Sequence, residues 1–469
     1  MLSTVLRAEW MSLRREHALF WVLGALCLFM AFAALGGGRL VATERAGIEA
    51  LARAEHDRVR ELTEQVRAVE SGAPPPANAD PTDPLVVGEE LLPRVASLPL
   101  APLAPVAVGQ RDLLPQSLQL TVKARLGAGE RAEPASAARA ASGPFDLAFV
   151  LVFLLPLVII WATFDLLAAE RERGTLALVL SQPISLSTFV LGKVLLRALV
   201  VGGGGLGLAL AATLAAGGRP FAPGGPAALA LFALLITGYS LFWFALAVAV
   251  NAWGHSSSAN ALGLVAAWLA LVVVVPGLGS VAVDALVPSP SRVELVNLTR
   301  DAARDASARA TAIEGDHGKE ASADKSVQAA LTQADLEQRV RPVLREFEER
   351  RAAQQRWVDR LRFMSPALLM SEGVTEVAGS GVVRHQHFTA QVDAFHQEHA
   401  RFFRERIEAR ATIGATDYPT MPVFRFEELP ASVLITRVGA SVVALFALAA
   451  LLTALAAVGL RKNLSRGLR

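Results

Sequence analysis

Six apolar blocks constrain this chain more than any other feature, at residues 19–35, 145–167, 190–216, 227–250, 259–283 and 431–460. Crossing the hydrocarbon core of a bilayer takes about 20 such residues. Hydrocarbon offers no partner for backbone N–H and C=O groups, so each block must satisfy its own by forming a helix. A closed barrel would need short strands of alternating polarity, and these blocks do not alternate. The fold expected is an all-α polytopic membrane protein with six transmembrane helices and two extracytoplasmic domains, mostly helical with some β.

Composition agrees. Over 469 residues, 53% hydrophobic is too apolar for a soluble surface. A formal charge of +2 argues against a nucleic-acid partner held by phosphate contacts. The single cysteine, Cys27, lies in the first block, which excludes an intramolecular disulfide framework and a cysteine metal cluster. The first block is expected to stay as a span despite the cleavage-like Ala31-Phe32-Ala33, because its apolar run is long for a signal.

Basic residues near the block ends fall into three groups: Arg7, Arg14 and Arg15; Arg171, Arg173, Lys193 and Arg197; Arg461, Lys462, Arg466 and Arg469. An even number of spans puts both termini on one side, and all three groups then share it. The positive-inside rule makes that side the cytoplasm. The chain divides into an amphipathic elbow helix (1–16), a first span (17–38), a first ectodomain (39–144), a second span (145–168), a cytoplasmic segment (169–189), spans three to five (190–283), a second ectodomain (284–430), a sixth span (431–460) and a tail (461–469). The first ectodomain opens with a helical stretch at 44–69 and a linker, Ala73-Pro74-Pro75-Pro76-Ala77. Extended pieces such as Leu118-Gln119-Leu120-Thr121-Val122 follow. In the second, residues 327–361 carry Leu331, Leu336, Val340, Val343, Leu344 and Phe347 at helical spacing, with Pro342 expected to kink the helix. Phe388, Val392, Phe395, Phe402 and Phe403 continue that pattern in a later helix. Both ectodomains would emerge on one side, where they could pack as one unit.

No catalytic signature is present. Gly192-Lys193 is followed by Val194 and lacks the upstream glycine of a phosphate-cradling loop; H-E-x-x-H and G-x-S-x-G are absent. The chain is therefore not expected to be an enzyme or to hold a cofactor. The four glycines at 202–205 read either as a packing surface or as a hinge. Arg437, near the start of the sixth span, reads as a snorkelling side chain or as a substrate contact. His385 with His387, and His396 with His399 at i, i+3, have spacings that could share Zn²⁺ or Cu²⁺ or belong to solvated helix faces. No metal is assigned.

The informative segment follows the second span: Asp165, then Glu170-Arg171-Glu172-Arg173-Gly174-Thr175-Leu176, then Ser181 and Pro183, then Leu191-Gly192-Lys193. Charge leaves the membrane, a glycine breaks the chain, and a short apolar helix (175–180) ends at Pro183. Such a helix could dock in a partner's cleft, or be an ordinary cytoplasmic loop whose charges obey the inside rule. At the N-terminus, Leu2, Val5, Leu6, Trp10 and Leu13 share one helical face, apart from Arg7, Arg14 and Arg15. That is an interfacial helix, or only a basic flank that sets topology.

The ordered set from Glu170 to Lys193 resembles the exporter-type (second class) permease subunits of ABC transporters. A second set narrows the likeness: Ser365-Pro366-Ala367-Leu368, Gly379 to Gly381, Arg384-His385, His387-Phe388, Val392 and Phe395, together with Phe145-Asp146. It resembles a subgroup with two large ectodomains found beside multicopper-enzyme maturation and gliding motility. The resemblance implies that Glu170, Arg171, Glu172, Arg173, Gly174, Thr175, Leu176, Ser181 and Pro183 form a coupling helix for a separate ABC ATPase subunit. It implies that Leu6, Trp10 and Leu13 belong to an elbow helix that touches the same subunit. A second permease subunit, identical or paralogous, and a bacterial cytoplasmic (inner) membrane are implied as well. The function expected is that of the permease subunit of an ABC exporter or ABC-driven membrane machine, in which that ATPase drives export or work on an extracytoplasmic partner. The alternative is a non-transporting mechanotransmission or assembly scaffold acting on a periplasmic or lipid-anchored partner; a receptor unrelated to ATP is a third reading.

Overall fold

The apolar blocks fold as helices packed side by side, and a mixed helix and sheet head stands on one end of the bundle. The computed structural model describes residues 2–76, 79–109, 111, 115–122, 125–127, 145–182, 184–254, 256–286 and 353–467, with residues 300, 301, 304, 342, 345, 346, 349 and 350. Most of the amphipathic stretch expected at 327–361 lies outside the described residues, as does Pro183.

Helix α1 (Leu2–Arg15) turns Val5, Glu9 and Leu13 inward at i, i+4 and i+8. After Glu16 the chain enters α2 (His17–Glu70), one helix of 54 residues, about 80 Å long. The expected first span and the helical stretch at 44–69 are therefore one uninterrupted rod. Gly36, Gly37 and Gly38 do not break it, because helix breaking would leave backbone groups bare in hydrocarbon. They allow close approach instead: a Cβ on Gly37 would lie 2.4 Å from the Pro105 carbonyl oxygen, and one on Gly38 3.0 Å from that of Ala216.

Among the described residues, three strands belong to the head, β1 (Arg94–Ser97), β2 (Ser117–Leu120) and β3 (Arg125–Gly127). They form an antiparallel sheet in the order β1-β2-β3, with Arg94 opposite Leu120 and Leu118 opposite Gly127.

The second span, α3 (Leu147–Glu172), is not a regular helix. Pro156 has no N–H to give, and the turn before it widens to a π-helix at Val150–Leu154. The side chains of the neighbouring spans satisfy the loosened carbonyls: Tyr239 Oη donates to Val152 O at 2.8 Å and Trp268 Nε1 to Phe153 O at 3.2 Å. A short helix, α4 (Thr175–Leu180), follows, and then the spans α5 (Leu186–Ala215), α6 (Gly225–Trp253) and α7 (Ser257–Val283). In α5 two of the glycines, Gly202 and Gly205, serve packing, since a Cβ on Gly205 would lie 3.0 Å from Leu155 and one on Gly202 3.4 Å from Phe244. Span α6 runs through the middle of the bundle, and α7 is the most peripheral, with 11% of its apolar window buried.

Two further helices, α8 (Pro366–Val377) and α9 (Val382–Glu408), precede the sixth span, α10 (Ala431–Gly467). Ser365 caps α8 and Pro366 occupies its first turn, as helix N-termini prefer. Leu369, Met370, Val374 and Val377 are buried in the same core as the spans. A Cβ on Gly373 would lie 2.8 Å from Leu235, so α8 is wedged against α6.

The two polar segments share their cores. Leu62, Val66, Val87 and Leu92 from the first pack with Phe403, Ile413, Tyr418 and Met421 from the second. Ala96, Leu98 and Leu120 pack with Phe388, Val392 and Phe395. The described parts thus make one head rather than two domains, because each segment leaves an apolar face that only the other covers. Among the described residues, six helices are long and apolar enough to cross a membrane, and the chain is a mostly helical, multi-pass membrane protein.

Candidate functional site

At the end of the bundle where α1 packs, the segment after Thr163 is held by polar side chains from three other elements. Asn251 on α6 donates to Thr163 O at 2.9 Å and accepts from Leu167 N at 3.3 Å, while Asn260 on α7 donates to Phe164 O at 3.3 Å. The turn at 164–167 would otherwise leave backbone groups unpaired.

The charges that follow each point to a different helix. Glu170 accepts from Lys193 Nζ on α5 at 2.9 Å. Arg171 Nη1 donates to Gly254 O, just past α6, at 2.6 Å. Glu172 accepts from Ser257 N at 2.7 Å and Ser257 Oγ at 2.9 Å, a carboxylate at the N-terminus of α7 where the helix dipole favours it. The elbow helix is tied in as well. Arg197 Nε donates to Glu9 at 2.7 Å, Arg197 also reaches Asp165 at 3.4 Å and Ala162 O, and Lys193 stands 3.9 Å from Glu9. Gly192 lets α1 sit on α5, for a Cβ there would lie 2.6 Å from Val5.

Gly174 adopts φ +70°, a left-handed conformation that suits glycine, and turns the chain into α4. Thr175 Oγ1 bonds the Glu170 carboxylate and so fastens the start of α4 to the clasp. Leu176 is half-buried against the cluster of Val5, Leu167, Phe189 and Leu460. Leu178 is 68% exposed, and Arg173 and Ser181 are exposed too. On the elbow, Leu13 is buried, Leu6 half-buried and Trp10 exposed. Of the residues expected at this site, Glu170, Arg171, Glu172, Thr175 and Leu176 therefore face the protein's own helices, while Arg173, Ser181 and Trp10 are exposed; Leu178, which was not among them, faces out as well. Glu9, Asn251, Asn260 and Ser257 escaped the sequence reading. Asn251 is a polar group near the end of an apolar block, and Glu9 an acid between two inward apolar positions, which are the signals that could have found them.

The histidines separate. His387 Nε2 lies 3.0 Å from Glu427 O and His396 Nε2 3.1 Å from Thr121 O. His399 is buried between the rings of Phe395 and Phe403, where burial first and the nearby Arg94 second push its pKa down to about 3. No group of three or more metal-type side chains converges among the described residues.

Arg437 does not snorkel. It turns inward to Asp359 at 3.0 Å, Glu372 at 3.1 Å and Glu376 at 3.5 Å, joining α10 to α8 at the head end. Burial raises the Glu376 and Glu372 pKa values, which Arg437 and Arg362 only partly offset. Burial also acts on Asp359, but the Arg437 hydrogen bonds outweigh it and hold that carboxyl low.

The sequence pattern of a domain of unknown function (DUF3526) matches residues 298–427, which include α8, α9 and the chain after them. A comparison with curated proteins found no match.

Proposed function

We propose that this chain is the membrane-spanning permease subunit of an ABC exporter or ABC-driven membrane machine, moved by a separate ATPase subunit that grips α4 from the cytoplasm. The observation that carries this reading is the wiring of α4. A short helix with an outward leucine sits directly on a charged clasp that reaches α1, α5, α6 and α7. Force on α4 is thereby delivered to several spans at once instead of being lost in a flexible loop. The basic residues at this end support a cytoplasmic placement of both termini, in a bacterial inner membrane. The chain itself performs no chemistry. A second permease subunit completes the pathway, and the lightly buried α7 offers apolar surface for lipid or for that subunit.

A second reading has its own support. The unbroken α2 joins the elbow end to the core of the head, which suits mechanical work on an extracytoplasmic partner without solute passage.

Two measurements test the proposal. Affinity capture of the full chain from native membranes should bring down an ATPase, and Leu178→Asp should abolish that capture while leaving thermal unfolding unchanged. Retention of the ATPase by Leu178→Asp overturns the role of α4. In a Cys27→Ser background, a cysteine at Leu178 should resist a membrane-impermeant thiol reagent in intact cells, and one at Ser71 should react. The reverse pattern overturns the orientation.

A further inference from the structure

The head carries a groove of about 610 Å³ alongside α2. Its walls are the α2 face bearing Arg60 and Arg67, the strand β1 at Val95 and Ser97, and the chain at Val423 and Phe424. The α2 wall runs from Ile48 to Arg67, ~28 Å at 1.5 Å per residue.

Strand β1 is an edge strand, since the sheet order is β1-β2-β3. Leu98 N donates to Gln116 O at 2.8 Å and continues the register that sets Ala96 opposite Leu118 and Arg94 opposite Leu120. In an antiparallel pair the hydrogen-bonded positions alternate. Arg94, Ala96 and Leu98 thus bond to β2, and Val95 and Ser97 turn their N–H and C=O groups away from it. These two are the β1 residues that, with Arg94, line the groove. Edges are commonly blunted by charge, proline or a covering loop, yet Val95 and Ser97 are uncharged and half-buried.

Residues 422–430, which carry Val423 and Phe424, have neither helix nor ladder partner. Phe424 and Phe426 pack inward while Val423 and Arg425 are exposed, the period of two that marks an extended chain. Among the described residues, a strand edge and an extended segment that both lack a ladder partner therefore border the same space.

We infer that this groove binds an extended peptide segment of a partner protein, taken up as a further strand on β1. Strand addition supplies affinity through main-chain hydrogen bonds and specificity through alternate side chains. The charge of the walls selects the sequence. Glu55 is engaged by the buried Arg94 at 2.8 Å, and Arg60 shares its charge with the exposed Asp57 outside the groove at 3.5 Å, a solvated i, i+3 pair of little strength, so that Arg60 and Arg67 still outnumber Glu64 on the groove face of α2. The bound strand accordingly alternates apolar residues with acidic ones. Four of its residues extend ~13 Å, well within the groove. An ATPase acting on the spans is not required for this binding.

The test uses the full chain in lipid nanodiscs, panned against a displayed library of random heptapeptides. Enriched sequences should alternate apolar and acidic residues. A synthetic peptide of the leading sequence should lose about tenfold or more in affinity to Val95→Pro, which removes an outward N–H and spares the β2 ladder. It should weaken similarly on the Arg60→Glu, Arg67→Glu double variant. The same peptide N-methylated at alternate amides should fail to bind the unaltered protein, a readout independent of how well Val95→Pro folds. Failure to enrich any peptide overturns the inference. So does binding that survives N-methylation in both alternate registers.

Discussion

Arg197, on the third span, donates to the carboxylate of Glu9 on the elbow helix at 2.7 Å, and both side chains are shielded from solvent. The pair bridges elements 188 positions apart in sequence and fixes the elbow against the spans. Removing one partner of a buried pair strands the other charge, at a cost of roughly 3–5 kcal/mol. Glu9→Ala should fall at the low end of that range, because Asp165 still stands 3.4 Å from Arg197. Thermal unfolding of the purified protein in detergent measures this; an unchanged midpoint would remove the elbow from the clasp.

The contact of α1 with α5 predicts a rescue. Gly192→Val should push α1 away from Val5 and destabilise the protein by about 1–3 kcal/mol. Adding Val5→Ala should recover most of the loss. If the two substitutions combine without recovery, the close approach at Gly192 is not what limits the site.

The carboxylates around Arg437 should report its removal through pH. Arg437→Leu leaves Asp359, Glu372 and Glu376 facing one another with Arg362 as their remaining cation among the residues of this cluster. Destabilisation of roughly 3 kcal/mol is expected at neutral pH. It should shrink at pH 5, because the raised Glu376 and Glu372 pKa values bring protonation within reach, and Glu376→Gln should restore part of it. Denaturation midpoints at the two pH values decide the matter.

His399 predicts an acid sensitivity of opposite origin. The unfolded chain protonates this imidazole below pH 6.5, and the folded chain does not until about pH 3. The unfolded state therefore binds more protons across that window, and stability falls as pH drops through it. At pH 5 the loss is ~2 kcal/mol. His399→Phe should flatten this part of the stability profile of the head, measured by proteolysis or unfolding against pH; a variant as acid-sensitive as the parent would show that the imidazole is not the cause.

The spans were legible because hydrocarbon imposes one requirement on every residue in a block, and composition reports it directly. The block at 259–283 and the span Ser257–Val283 differ by two residues at one end and none at the other. The continuation of α2 through Gly36 to Gly38 was not legible, for the opposite reason. Glycine propensity is a local signal, whereas the helix persists there because its neighbours Pro105 and Ala216 must come close and its backbone must stay bonded. Helix α8 was illegible as a wedge: twelve residues holding two glutamates and a threonine do not announce that Leu235 lies against Gly373. At the clasp, residue types were readable and partners were not. Glu170, Arg171 and Glu172 find theirs 23, 83 and 85 positions away, distances over which no sequence period operates.

Under the proposed coupling, the length of α2 would give mechanical gain. A rod of about 80 Å that pivots by ~5° near its base swings its far tip through ~7 Å. Leu62 and Val66 sit near that tip and are fully buried in the head. A rearrangement too small to open the bundle would thus still arrive at the far side as a displacement wider than a strand-to-strand spacing.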